Sequence, residues 1–66
     1  MTQAPLTLYE IEARCRRFWR LFSEQKNRGG NYVEARKIAH LKLAPELKLL
    51  SEENRQSILT AIELSE

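Results

Sequence analysis

From Leu8 the large apolar side chains recur at steps of three and four: Leu8, Ile11, Cys15, Phe18, Phe22. That is the period of one helical face, and Trp19 widens it. Thr7 stands just ahead of the run with Glu10 three residues on. This is the spacing of a capping box, in which hydroxyl and carboxylate each take one backbone N–H. Gly29-Gly30 closes the run, because glycine adopts the left-handed conformation that ends many helices. The pattern predicts a first helix of about 20 residues.

Asn31, with Glu34 three residues later, repeats the start signal. The second helix is expected to turn Tyr32, Ala35, Ile38, Ala39 and Leu43 inward. It should stop near Leu43, since Pro45 disfavours helical backbone at Ala44. Pro45 suits the first position of a short further turn through "PELKLL". Ser51-Glu52-Glu53 suits another helix start, with acidic groups at the positive end of the dipole. That last helix, over residues 52–64, would bury Ile58, Leu59, Ala61 and Ile62. One unbroken helix from Pro45 to Leu64 is the competing reading of this segment. No alternating β-branched run bounded by turns occurs. The expected fold is all-α, a small three- to four-helix bundle spanning residues 1–66, with residues 1–6 as a flexible N-terminal arm.

Sixty-six residues bury only a small core. The single cysteine, Cys15, allows no internal disulfide, so homodimerisation is the expected supplement. No apolar stretch has membrane-spanning length, and "MTQAPLTLYE" has neither the basic nor the apolar region of a leader. With a lone thiol, these features point to a soluble, cytoplasmic protein.

The net charge of +2 is unevenly spread. Residues 1–42 carry nine Lys/Arg against four Glu, and residues 43–66 carry two against five. Such asymmetry steers a chain toward an anionic partner or toward its own copy arranged head to tail.

The stretch "ARCRRFWRLF", residues 13–22, raises the nucleic-acid question directly. With Arg14 at zero, the apolar set falls between about 40° (Phe18) and 140° (Trp19). Arg17, Arg20 and Arg16 fall near about 300°, 240° and 200°. Rings and guanidinium groups therefore point apart, so bases cannot stack on Phe18 or Phe22 while phosphates meet the arginines. A phosphate-binding stripe remains, formed by Arg14, Arg16, Arg17, Arg20, Arg28 and Lys37. Against it, Glu10/Arg14, Glu12/Arg16 and Arg20/Glu24 are each four apart and can pair along the helix. A helix-turn-helix reader is disfavoured, because "SEENRQS" would bring two carboxylates toward the phosphates. On the other side of the first helix, Leu21 near about 340° and Tyr9 near about 220° are expected to be exposed. Together with Trp19 and Phe22, which two short partner helices would cover incompletely, they form the expected protein interface.

Catalytic chemistry finds little support. Nucleophilic catalysis needs a nucleophile beside a base, and Cys15 lies in the apolar stripe while His40, the only imidazole, lies beside the core face of the second helix. One Cys and one His cannot build a zinc site. Calcium loops need several Asp or Asn ligands, and aspartate is absent. No phosphate-binding, dinucleotide or nucleophile-elbow motif is present. No metal, cofactor or small-molecule substrate is expected. The reading is a non-enzymatic helical regulator, adaptor or inhibitor that binds a protein partner, its own copy included. The alternative is a small nucleic-acid-binding protein using the basic face.

Overall fold

The computed structural model describes residues 4–65 and contains, among them, three α-helices and no strand. They are α1 (Leu8–Asn27), α2 (Tyr32–Leu47) and α3 (Glu52–Leu64). Each start is capped by the residue expected from sequence. Thr7 Oγ1 accepts from Glu10 N–H at 3.2 Å, and Glu10 Oε1 accepts from Thr7 N–H at 3.3 Å. Asn31 Oδ1 accepts from Glu34 N–H at 2.9 Å, and Ser51 Oγ from Asn54 N–H at 3.2 Å. Each such cap contributes about 1 kcal/mol.

The end of α1 is a Schellman turn. Gly30 N–H reaches back to the Gln25 carbonyl (3.1 Å) and Gly29 N–H to Lys26 (3.0 Å). Gly29 holds φ +90°, and a Cβ at Gly30 would stand 2.9 Å from Gln25 O. Both glycines are therefore required by the turn.

The tight turn reverses the chain, and α2 runs back along α1. Phe22 meets Tyr32 (ring centroids 5.2 Å), Phe18 meets His40 (4.6 Å), and Arg17 pairs with Glu46. After the second turn α3 runs in the same direction as α1. Asn54 lies beside Leu6 at one end, and Ser65 beside Trp19 at the other. Helix α1 is thus the shared spine. Its last two turns project beyond α3 and rest on α2 alone. The core is formed by Cys15, Phe18, Ala39, Leu43, Leu47, Ile58 and Ile62. Ala35 and Ala39, both fully buried, let the backbones of α1 and α2 approach.

Five expectations need correction. Helix α2 does not stop at Leu43 but continues to Leu47 with Pro45 inside it, so "PELKLL" makes no helix of its own. Leu43 and Leu47 lie one turn apart and are both buried. Burying a leucine yields about 1.5–3 kcal/mol, comparable with the ~3 kcal/mol that a proline costs inside a helix. Pro45 also deprives only the Leu41 carbonyl of its donor, and Leu41 stands on a side of α2 open to water. An unbroken helix from Pro45 to Leu64 is equally absent, because Lys48–Ser51 form a turn.

Leu8 is 86% exposed. It opens α1 before the partner helices begin to cover it, and Leu6 packs against the core instead. Tyr32, also a first helical residue, sits half-open at the opposite end, its ring edge-on to Phe22. Leu21, expected to face solvent, packs against the core. Two flanking helices bury a wider arc of α1 than one stripe, and the α2 side of that arc reaches Leu21.

The N-terminal segment is tied down where it can be seen. Asn54, only 3% exposed, donates through Nδ2 to the Ala4 carbonyl (2.9 Å) and accepts from Leu6 N–H (3.2 Å). Of the expected arm over 1–6, residues 1–3 lie outside the described residues.

Candidate functional site

The side of α1 turned away from both partners carries Ala13, Arg16, Arg17 and Arg20, which line a shallow cleft of about 220 Å³. Two of these arginines are held. Arg16 pairs with Glu12 at 2.7 Å along the helix, and Arg17 pairs with Glu46 across to α2. The expected Arg20–Glu24 and Glu10–Arg14 ion pairs do not form. Glu10 is occupied by the Thr7 cap, and Arg14 instead donates from Nη1 to the Glu10 carbonyl at 3.1 Å. Its Nε is buried and has no hydrogen-bond partner among the described residues.

The six expected basic residues consequently divide. Arg16, Arg17 and Arg20 stand together, whereas Arg14 is drawn in toward the helix. Arg28 caps the end of α1, and Lys37 faces a different surface on α2. The four expected interface residues divide as well. Trp19, Leu21 and Phe22 are half-buried against the core, while Tyr9 is 79% exposed. Trp19 Nε1 donates to Ser65 Oγ at 2.8 Å, and its ring meets Phe18 and Phe22 edge-on at 4.9 and 5.3 Å. By helical angle Tyr9 shares the side of Arg16 and Arg20 rather than that of Trp19.

A surface that the sequence reading missed lies between α2 and α3. It is a groove of about 500 Å³ with Ala44, Leu47 and Leu59 in its wall and His40 beside them. Leu41, 64% exposed, stands at its mouth. Lys37, Lys48 and Arg55 stand around the groove, and none of the described carboxylates lies within ion-pair distance of these three. The Arg36–Glu63 bridge (3.1 Å) spans α2 and α3 farther along the pair. Lys37, Leu41, Ala44 and Lys48 share one face of α2 at steps of four, three and four, but that face becomes a groove only once α3 lies beside it.

Two titratable groups are shifted by their surroundings. Burial lowers the His40 pKa below its ordinary 6.5, and Arg36 lowers it further, while Glu63 pulls the other way. Burial raises the Cys15 thiol above its ordinary value, with Glu12 adding to the effect. A neutral imidazole is thus favoured at pH 7, and the thiol stays protonated. Cys15 lies on the α1 face toward α3 and His40 on α2 against Phe18, so the two are not paired as nucleophile and base. Among the described residues no three potential metal ligands come together, and no helix is long and apolar enough to cross a membrane.

A scan of protein-family models and searches of curated proteins and of solved structures found nothing that matches this chain.

Proposed function

We propose that this chain is a small, non-enzymatic helical interaction protein that acts through protein–protein contacts, with its own copy among its partners. The observation that carries the reading is Leu41 standing open to water beside the apolar wall of Ala44, Leu47 and Leu59. Covering such a leucine contributes about 1.5–3 kcal/mol, and an apolar centre with a polar rim is the usual build of a docking surface. Leu8 and Tyr9, exposed together at one end of α1, supply a second apolar contact suited to self-association.

A photo-crosslinking residue at position 41, with position 60 on the outer side of α3 as control, tests the reading in cells. Protein adducts specific to position 41 are expected; adducts to nucleic acid alone would overturn it. Sedimentation equilibrium tests the copy. A mass that rises with concentration, and falls back when Leu8 and Tyr9 are changed to serine, is expected, whereas a monomer throughout removes self-association.

The nucleic-acid reading is favoured by one arrangement, the exposed Tyr9 ring on the side of Arg16 and Arg20. Three phosphate contacts on duplex DNA would give a slope of log affinity on log salt of roughly −2.7. Flat anisotropy of labelled duplex and single-stranded RNA at low salt ends this reading.

A further inference from the structure

We infer that the α2–α3 groove receives an acidic amphipathic helix of a partner protein, which lays its apolar side on Leu41, Ala44 and Leu59 and its carboxylates against Lys37, Lys48 and Arg55. The inference rests on the protein–protein reading above and names the partner's chemistry. The wall of the groove is apolar and one of its residues, Ala44, is small, so the centre can admit a side chain. Two neighbouring helices present ridges between which a third can settle, and an amphipathic helix is the segment that matches such a groove.

Charge selects the occupant. Lys37, Lys48 and Arg55 have no described carboxylate within ion-pair distance. Elsewhere on the molecule Arg16, Arg17 and Arg36 each have one, while Arg14, Arg20, Lys26, Arg28 and Lys42 have no described one. What sets the groove apart is three such cations beside an apolar wall. A second copy seated face to face on the same groove would oppose three cations to three cations, a like-charge arrangement that disfavours binding. A partner with carboxylates on both flanks of an apolar ridge removes that repulsion. Lys37 and Lys48 stand three helical turns apart, about 16 Å along the axis. The acidic groups of the partner must therefore be spread over about three turns of helix.

A displayed library of 16-residue helical peptides, with apolar residues fixed at one face and the flanking positions randomised, tests this on the full chain. Selection by the wild-type protein is expected to enrich Glu and Asp at flanking positions spaced over three turns. Binding of the selected peptides should fall at least tenfold with Lys48→Glu/Arg55→Glu and at least fivefold with Leu41→Ala. Arg16→Glu/Arg20→Glu, on the far side of α1, should leave it unchanged. Far-UV circular dichroism verifies that each variant keeps its helices, and all five positions are at or near the surface. Enrichment without acidic bias, no enrichment at all, or equal loss with the Arg16/Arg20 variant overturns the inference. So does binding to vesicles of anionic phospholipid that is lost with Lys48→Glu/Arg55→Glu while no peptide is selected. Protein adducts at position 41 combined with a neutral or basic selection would sink the acidic helix and leave the broader interaction reading standing.

Discussion

Three cations gather at each of two places, and the two groups are held differently. On the back of α1, Arg16 and Arg17 are braced by Glu12 and Glu46, so much of their charge is answered within the molecule. Around the α2–α3 groove, Lys37, Lys48 and Arg55 have no such carboxylates and border an apolar wall. Equal numbers of positive residues thus produce one surface with two of its three charges answered internally and one with none. Charge counted along the chain favours the first, because four arginines cluster in ten residues. Charge weighed with its neighbours favours the second.

Helix α2 is the wall common to both surfaces, with Glu46 turned toward α1 and Leu41 and Ala44 turned toward the groove. Removing its support breaks the comparison altogether. Leu43→Ala, at a core position 1% exposed, is expected to cost about 2–5 kcal/mol. In a domain this small that loss approaches the whole stability, and a guanidinium melt should show a large fall in midpoint.

Asn54→Ala is next in size. It leaves the Leu6 N–H and the Ala4 carbonyl without their partner at the start of α3, at about 1–3 kcal/mol. Hydrogen exchange should show the loss concentrated around residues 4–7 and the first turn of α3, near the Arg55 end of the groove, with the arginine cleft unaffected.

Glu46→Ala sharpens the contrast by making the first surface resemble the second. Freeing Arg17 should cost only about 0.2–1 kcal/mol, because the pair is partly exposed. Retention on a heparin column should rise, and a second release, Glu12→Ala, should raise it again. Unchanged retention in both would mean that the braces do not mask the arginines.

The smallest effect belongs to His40, beside the groove. Its folded pKa lies below 6.5, so over the interval between the two values the unfolded chain binds the proton that the folded chain refuses. Stability from this residue is therefore full above pH 6.5 and declines as pH falls toward the folded value, below which it is level. Thermal melts between pH 7.5 and 5 should fall more steeply for the wild type than for His40→Gln. Equal slopes would place the imidazole in a more watery setting than its contact with Phe18 implies.

What could be read from sequence was local. Thr7, Asn31 and Ser51 cap because their oxygens need only reach three residues ahead, and Gly29 turns because of its own φ. Cys15, Phe18, Ile58 and Ile62 are buried where a 3.6-residue period places them. The Glu12–Arg16 pair lies within one turn and was equally visible. Arg17–Glu46 joins residues 29 positions apart, and Asn54 binds backbone 48 and 50 positions away, so no window along the chain contains either. Pro45 differs from expectation for an energetic reason, since local preference argued for a stop while the burial of Leu47 and the water-exposed side at Leu41 offset the cost of continuing. The groove was invisible because it depends on how α2 and α3 are rotated about their axes once packed. Leu41 and Ala44, three residues apart, share a face of α2, but that spacing does not say that α3 lies beside it.

The parallel placement of α3 beside α1 also fixes the order in which the molecule can be completed. Helices α1 and α2 are joined by a short turn and can pair as soon as both have been synthesised. The flank of α1 that receives α3, with Ile11, Cys15 and Trp19, has no cover until α3 has been synthesised. The Asn54 tie to Ala4 and Leu6 then closes a loop across separations of 50 and 48 positions, a contact of very high sequence separation that forms late. Each newly made molecule thus begins as a two-helix hairpin with a wet apolar flank, and that interval is when it is most open to aggregation and to chaperones.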